Sequence, residues 1–369
     1  MINWIKGLLV GALLLPFYFE NGEDIRYFQT STIPLSDTTD VIISSIYDSL
    51  TSQDIFRVST SRGNPLYYYI ELKEGVCFDN ECRPLDMLIY WNITGRYLGF
   101  ELVDGEFLSK YDHEPFSPKE YDELHRLLAD PFLPLGNYAF EDLIKKPDSI
   151  NNALDGVSGA TMTDVLDYIV PGAAYTTHKL WNVIHGPIQQ QVSELTGQQL
   201  DAFLFNEILQ SSDQSDRTWA LERIGRLSEL DDLVIQAIVK TLTEGEQFQA
   251  YLILKSLAAN QMESEQLQIE LFSLIGKVDY SLENMIFDKL LEAPFLHTSV
   301  VGASVATISQ LSGSQLGRLL KLYSHHKIKD AGFNQELSKL VPNENRFVER
   351  QVVQFLKNQS QSSDSIGDQ

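Results

Sequence analysis

The chain has 369 residues, 43% hydrophobic, 21% charged and 11% aromatic, the composition of a folded protein long enough for two ordinary domains. Its 51 acidic and 28 basic residues leave a formal charge of -23, which excludes a nucleic-acid role because neutralising a phosphate backbone takes a basic face. Strong acidity also disfavours acidic partners, and it suits solubility and docking to a basic patch on another protein.

The first element is MINWIKGLLVGALLLPFYFENGED, in which one lysine precedes an apolar run from Gly7 to Phe19 that ends abruptly in acid. That order is the layout of an export signal. Counted from Met1 the stretch is just long enough to span a bilayer, so residues 1–20 are read as a signal or, uncleaved, as a membrane anchor. A buried N-terminal helix is the alternative. The expected location is periplasmic or otherwise extracytoplasmic.

A polar lead rich in threonine and serine runs from about Asn21 to Thr60. After it, PLYYYIELKEGVC and LDMLIYWNITGRYLGFELVDG are dominated by aromatic and β-branched residues, with turn chemistry at Asn92 to Gly95 and Asp104-Gly105. This pattern predicts a meander of short antiparallel strands. The Tyr67-Tyr68-Tyr69 run is read as core and cross-strand packing in preference to a stacking platform for a ligand ring. Cys77 and Cys82 are the chain's two cysteines. In an oxidising compartment they are expected as a disulfide, in a reducing one as free thiols; a redox pair is the further alternative, although the C-x-x-C spacing is absent.

Ser117-Pro118-Lys119-Glu120 has the form of a helix N-cap with proline at the first helical position and an acid at the third, and it predicts a helix to about Ala129. His113 and His125 are read as surface or capping residues. The stretch PGAAYTTHKLWNVIHGP predicts one helix opened by its proline and closed at Gly186-Pro187. Its His178 and His185 share a face by spacing and are read as packing or polar contacts in preference to a metal pair.

From Thr196 to about Leu356 short amphipathic segments of about three turns follow one another, separated by a few polar residues. They predict an α-solenoid similar to HEAT-type arrays, with a single large helical bundle as the alternative. The boundaries expected are 21–190 for an α+β domain and 191–357 for the helical one. Residues 358–369 have almost no apolar content and are expected to be disordered.

One stretch carries chemistry. Asp155 to Thr163, DGVSGATMT, sets small and hydroxyl residues directly before an apolar segment. Structurally, Thr161 reads as a helix N-cap, with Asp164 completing a box-like arrangement. Yet Asp155, Ser158, Gly159, Ala160 and Thr161 also make a complete Asp-x-x-Ser/Thr-Gly-Ala-Thr motif, which chance supplies on the order of once in a thousand chains of this length.

In that motif the sequence resembles the FMN-binding domain family with a covalent threonyl-FMN, found in flavin-bearing components of the sodium-translocating NADH:quinone oxidoreductase and of the Rnf complex. The resemblance rests on the neighbourhood of the motif and, by architecture, on Pro65 to Pro187. It implies that a flavin transferase joins FMN through its phosphate to Thr161, with Asp155, Ser158, Gly159 and Ala160 as the rest of the recognition motif. A helix mouth suits the phosphoester, whose charge meets free backbone N–H groups there. No nicotinamide fingerprint of the G-x-G-x-x-G kind occurs, and spacing nominates no catalytic residues.

The expectation is therefore an electron carrier more than a self-contained enzyme, working between a membrane-associated donor and an unidentified redox protein, with the helical domain docking a partner. Tyr175, His178 and Trp181 follow the motif closely enough to be candidates for contact with the flavin ring. Two alternatives stay open. One is a helical-repeat interaction scaffold without cofactor; the other is a reductase in which Cys77 and Cys82 exchange electrons with the flavin.

Overall fold

The computed structural model describes residues 26–28, 41–48, 52–75, 84–110, 113–139 and 167–364. The chain divides into two compact units, the first comprising residues up to Gln199 with Ser211–Asp216, the second Leu200–Gln210 and everything from Arg217 onward. The first is α+β and the second all-α.

In the first unit six strands form one antiparallel sheet: β1 (Arg26–Phe28), β2 (Val41–Asp48), β3 (Gln53–Thr60), β4 (Pro65–Glu74), β5 (Leu85–Asn92) and β6 (Tyr97–Leu102), in the order β1-β6-β5-β4-β3-β2. From β2 to β6 each strand pairs with its successor, the expected meander. The polar, threonine- and serine-rich lead holds three of these strands. The reason is position: β2 is an edge strand with Ile42 52%, Ile43 56% and Tyr47 65% exposed, so both its faces tolerate serine and it reads like a loop.

Register puts Ile55, Tyr68, Ile70, Leu72, Met87, Ile89, Trp91, Phe100 and Leu102 on one face, none more than 1% exposed. On the other face Phe56 stacks on Tyr69 at 4.8 Å, and Tyr90 meets Tyr69 at 5.6 Å and Tyr67 at 6.0 Å. The tyrosine run thus splits by the two-residue period of a strand into one core residue and two members of a cross-strand ladder, each pair contributing about 1 kcal/mol beyond its buried area.

Among the described residues three helices complete this unit: α1 (Pro118–Ala129), α2 (Ala174–Ile184) and α3 (Pro187–Gly197). The cap predicted for α1 is present, with Ser117 Oγ accepting from the Glu120 N–H and the Glu120 carboxylate accepting from the Ser117 N–H at 2.6 Å. Its buried face, Tyr121, Leu124, Leu127 and Leu128, packs toward β6 and α2. α2 begins later than its proline suggests. Ala173 N–H donates to the Val170 carbonyl and Gly172 has φ +77°, so Pro171-Gly172 is the middle of a type II turn and stays outside the helix. Pro187 instead opens α3. At the β5–β6 turn Gly95 has φ +90°, and a Cβ there would lie 2.9 Å from the Gln189 carbonyl of α3, so only glycine lets the turn seat against that helix.

The helix α4 (Ala202–Leu209) lies in the second unit, and α5 (Gln214–Arg223) enters it at Arg217. There follow α6 (Asp232–Glu244), α7 (Gln247–Ser256), α8 (Glu265–Ser273), α9 (Tyr280–Glu292), α10 (Thr298–Thr307), α11 (Gly313–His325), α12 (Ala331–Ser338) and α13 (Arg346–Asp364). Alternate helices are packed neighbours: α4, α6, α8, α10 and α12 form one series, and α7, α9, α11 and α13 another.

Three details differ from expectation. The amphipathic segment TWALERIGRLSEL (Thr218–Leu230) reads as one helix, but the helix stops at Arg223 in a 3₁₀ turn, and the buried Gln261 Nε2 donates to the freed carbonyls of Ile224 and Leu227 at 2.8 and 2.9 Å. α12 carries only Phe333 and Leu337 on its buried face, too sparse a pattern to read as a helix, and gains its support from Tyr323 stacked on Phe333 at 3.8 Å. α13 runs on through Asp364 into the tail segment expected to be disordered, with Gln359 Nε2 donating to the Ile328 carbonyl at 3.0 Å. No helix among the described residues is long and apolar enough to cross a membrane.

Candidate functional site

The motif residues Asp155, Ser158, Gly159, Ala160 and Thr161 lie outside the described residues, as do Cys77, Cys82 and the N-terminal apolar segment. What is described is how the chain is held on either side of the motif. His178 Nε2 lies 2.9 Å from the Tyr138 carbonyl, which can only accept, so that nitrogen carries the proton. Thr177 Oγ1 accepts from the Val170 N–H at 3.2 Å and donates to the Ala173 carbonyl at 2.9 Å. Residues on both sides of the motif-bearing segment are therefore fixed to consecutive positions on the second turn of α2.

The same turn reaches a third strand of chain. Lys179 Nζ donates to the Gly75 carbonyl at 2.8 Å and stands 5.9 Å from the centroid of the Tyr175 ring, one turn back along α2. Tyr175, His178 and Lys179 are half-buried. Between Lys146 and Arg217, Lys179 is the one lysine or arginine in the sequence, amid Asp148, Asp155, Asp164 and Asp167.

Trp181 is 7% exposed, with its indole N–H donating to the Asp130 carbonyl at 2.9 Å. His185 Nε2 donates to the Leu128 carbonyl at 2.9 Å. Both close the C-terminal end of α1, whose last carbonyls have no partner within the helix. His178 and His185 thus make polar contacts, but with different segments.

A second polar constellation sits under the β5–β6 turn, wholly inside the first unit. The Asp216 carboxylate is 0% exposed. Its Oδ1 accepts from Asn92 Nδ2 at 2.7 Å and Arg96 Nε at 3.2 Å, and its Oδ2 from Arg96 Nη2 and Ser211 Oγ, both at 2.8 Å. Thr94 Oγ1 lies 2.7 Å from Asp216 Oδ1 and 2.8 Å from Asn92 Oδ1; its single proton goes to the charged acceptor. Burial by itself raises this carboxyl, but the Arg96 hydrogen bond and charge, with the Thr94 and Ser211 hydroxyls, outweigh it and hold the group below the usual carboxylate range. Arg96 also pairs with Asp213 at 3.2 Å. With every oxygen engaged and the carboxylate sealed from water, this is a structural tie.

His125 departs from its expected surface role. It is half-buried against Tyr97, ring centroids 5.5 Å apart, with Nδ1 3.2 Å from the Tyr97 hydroxyl. Helix spacing places it beside Leu124 and Leu128, on the flank of the buried face, and so takes it out of water. Burial lowers the imidazole to about 4. Because an unfolded histidine takes up its proton near pH 6.5 and this one does not until about pH 4, acidification through that window favours the unfolded chain, by about 3 kcal/mol at most. Urea unfolding between pH 7 and 4 is expected to show this loss, and His125→Gln to flatten it; an unchanged slope in the variant would place the acid sensitivity elsewhere.

Among the described residues no cluster of histidine, cysteine and carboxylate side chains could hold a metal ion. No family model, curated protein or solved structure matches the chain.

Proposed function

We propose that the protein is an extracytoplasmic electron-transfer flavoprotein carrying FMN esterified through its phosphate to Thr161. The observation that carries this reading is the complete motif at Asp155, Ser158, Gly159, Ala160 and Thr161. Its setting supports it, since residues on either side of the segment are fixed to adjacent positions of one helix. Tyr175 and His178, which follow the motif on α2, are of kinds that suit a flavin, an aromatic surface and a fixed polar group. When bound, FMN supplies one- and two-electron transfer, and the protein governs orientation, solvent access and charge around it. A covalent tether also keeps the cofactor from being lost outside the cytoplasm, in keeping with the signal-like N-terminus.

The second unit is proposed as a HEAT-like solenoid that docks the redox partner. Support comes from its two series of alternately packed helices, the arrangement expected where stacked repeats bury a continuous core. The same observation favours the second reading, an interaction scaffold without cofactor in which Thr161 serves as a helix cap.

Intact mass separates the two. Co-expressed with a flavin transferase, exported and denatured, the protein is expected to gain the mass of FMN less water, on the peptide containing SGATMT. An unmodified peptide under those conditions returns Thr161 to a capping role and leaves the helical unit as the working part.

A further inference from the structure

We infer that Arg57, Ser59 and Tyr68 form a binding site for a small monocarboxylate on the helix-covered face of the sheet, beside edge strand β2. The site lies wholly in the first unit and owes nothing to Thr161, so either reading can fail without the other. Its centre is a cation without an anion. Although the chain carries a charge of -23, no carboxylate among the described residues pairs with Arg57. Its Nη1 donates to the Gln199 side-chain carbonyl at 2.8 Å, and that amide is itself fixed by donating from Nε2 to the Leu195 carbonyl. The other edge of the guanidinium is left over: the buried Nε–H has no partner, and Nη2 makes no hydrogen bond. That edge is the planar fork that fits the two oxygens of a carboxylate. The same chain shows the fit at Arg96, whose Nε and Nη2 hold the two oxygens of Asp216 while the Thr94 and Ser211 hydroxyls complete the shell.

Two hydroxyls stand beside Arg57 in a similar way. β3 keeps unbroken register against β2, so Ser59 is on the same face as Arg57, two residues and about 7 Å along the strand. Ser59 is 3% exposed and its Oγ has no hydrogen-bond partner, although a buried hydroxyl normally finds one. Tyr68 lies directly opposite Arg57 in β4. Its buried hydroxyl accepts from Thr196 Oγ1 at 3.1 Å, which leaves the phenolic proton to donate. Thr196 and Gln199 are three apart at the end of α3, so Tyr68 and Arg57 reach one helix terminus. Burial raises the Tyr68 hydroxyl, and the Thr196 bond and the Arg57 charge both act against that rise, which agrees with a guanidinium close by. Ile42, opposite Ser59 in β2, is 52% exposed, so the cluster opens to solvent at the sheet edge. One guanidinium balances one negative charge, which in so acidic a chain selects a monocarboxylate over a phosphate dianion.

The competing account is that Arg57 only ties β3 to α3 through Gln199. To separate the two, the full-length chain with isotope-labelled arginine is titrated with sodium acetate at constant ionic strength, sodium chloride making up the difference. The Arg57 Nε–H signal, assigned by its loss in Arg57→Lys, is followed by NMR. The expected result is a saturable shift with acetate and a weaker response to inorganic phosphate. A signal that stays still or drifts without saturating overturns the inference, as does one that phosphate saturates as tightly as acetate. Ser59→Ala is expected to fold, since its hydroxyl has no partner to lose, and to bind acetate about tenfold more weakly. An unchanged acetate affinity in that variant, with matching circular dichroism, overturns the site. If Ser59→Ala fails to fold, Tyr68→Phe removes the phenolic donor instead, and weakened binding supports the site while unchanged binding overturns it.

Discussion

Replacing Thr161 by alanine is expected to abolish covalent flavin entirely while leaving far-UV circular dichroism close to wild type. Esterification needs a side-chain hydroxyl, and alanine has none, so the added mass and the yellow chromophore disappear together under conditions that flavinylate the parent chain. Thr161→Ser keeps a hydroxyl and tests whether the transferase also needs the methyl group. The capping role predicts a different pattern: no mass change in either parent or variant, and a stability loss of about 1 kcal/mol in Thr161→Ala. A variant that retains stoichiometric covalent FMN would show that attachment lies at another residue and sink the assignment to Thr161.

The second large effect is expected at Asp216. Asp216→Ala strips the carboxylate from under the β5–β6 turn and leaves Asn92, Thr94, Ser211 and much of Arg96 without their acceptor in a site closed to water. Breaking a buried pair in this way costs about 3 to 5 kcal/mol, a large share of an ordinary domain's stability. A marked fall in the urea midpoint of the first unit is the measurement, and a change below about 1 kcal/mol would mean that water replaces the carboxylate without difficulty. The pH dependence has a definite sign. Because the folded-state carboxyl is held below its unfolded value, the tie is fully present above the unfolded pKa and is lost as pH falls through the folded one. Acid therefore acts in two stages, first through His125 between about pH 6.5 and 4, then through Asp216 lower down.

The two units call on different physics for their tolerance of change. In the sheet, Trp91 and Tyr68 are fully buried and meet in cross-strand register, and the Trp91 indole N–H donates to the Ile184 carbonyl at the end of α2. A substitution there loses both packing and a buried hydrogen bond. In the helical unit packing runs both between successive helices, as α6 with α7, and between alternate ones, as α8 with α10.

Local patterns in the chain were enough to specify much of this protein. Ser117-Pro118-Lys119-Glu120 specified the start of α1, because a cap depends on residues within one turn. The aromatic alternation from Pro65 to Leu102 specified the central strands, and the three- and four-residue apolar spacing specified most of the second unit's helices. The Thr161 motif is likewise a property of five nearby residues. Tertiary structure decided the rest. Edge strand β2 and short helix α12 carry weak patterns and exist because β3 and Tyr323 receive them. Asp216 meets Asn92 and Arg96 across more than a hundred residues of chain, and no spacing rule reaches so far. Lys179 likewise reaches Gly75 from α2. Capping and periodicity act within a few residues, so sequence determines them; the pairing of charges and donors depends on which segments the folded chain brings within 3 Å, and only folding determines that.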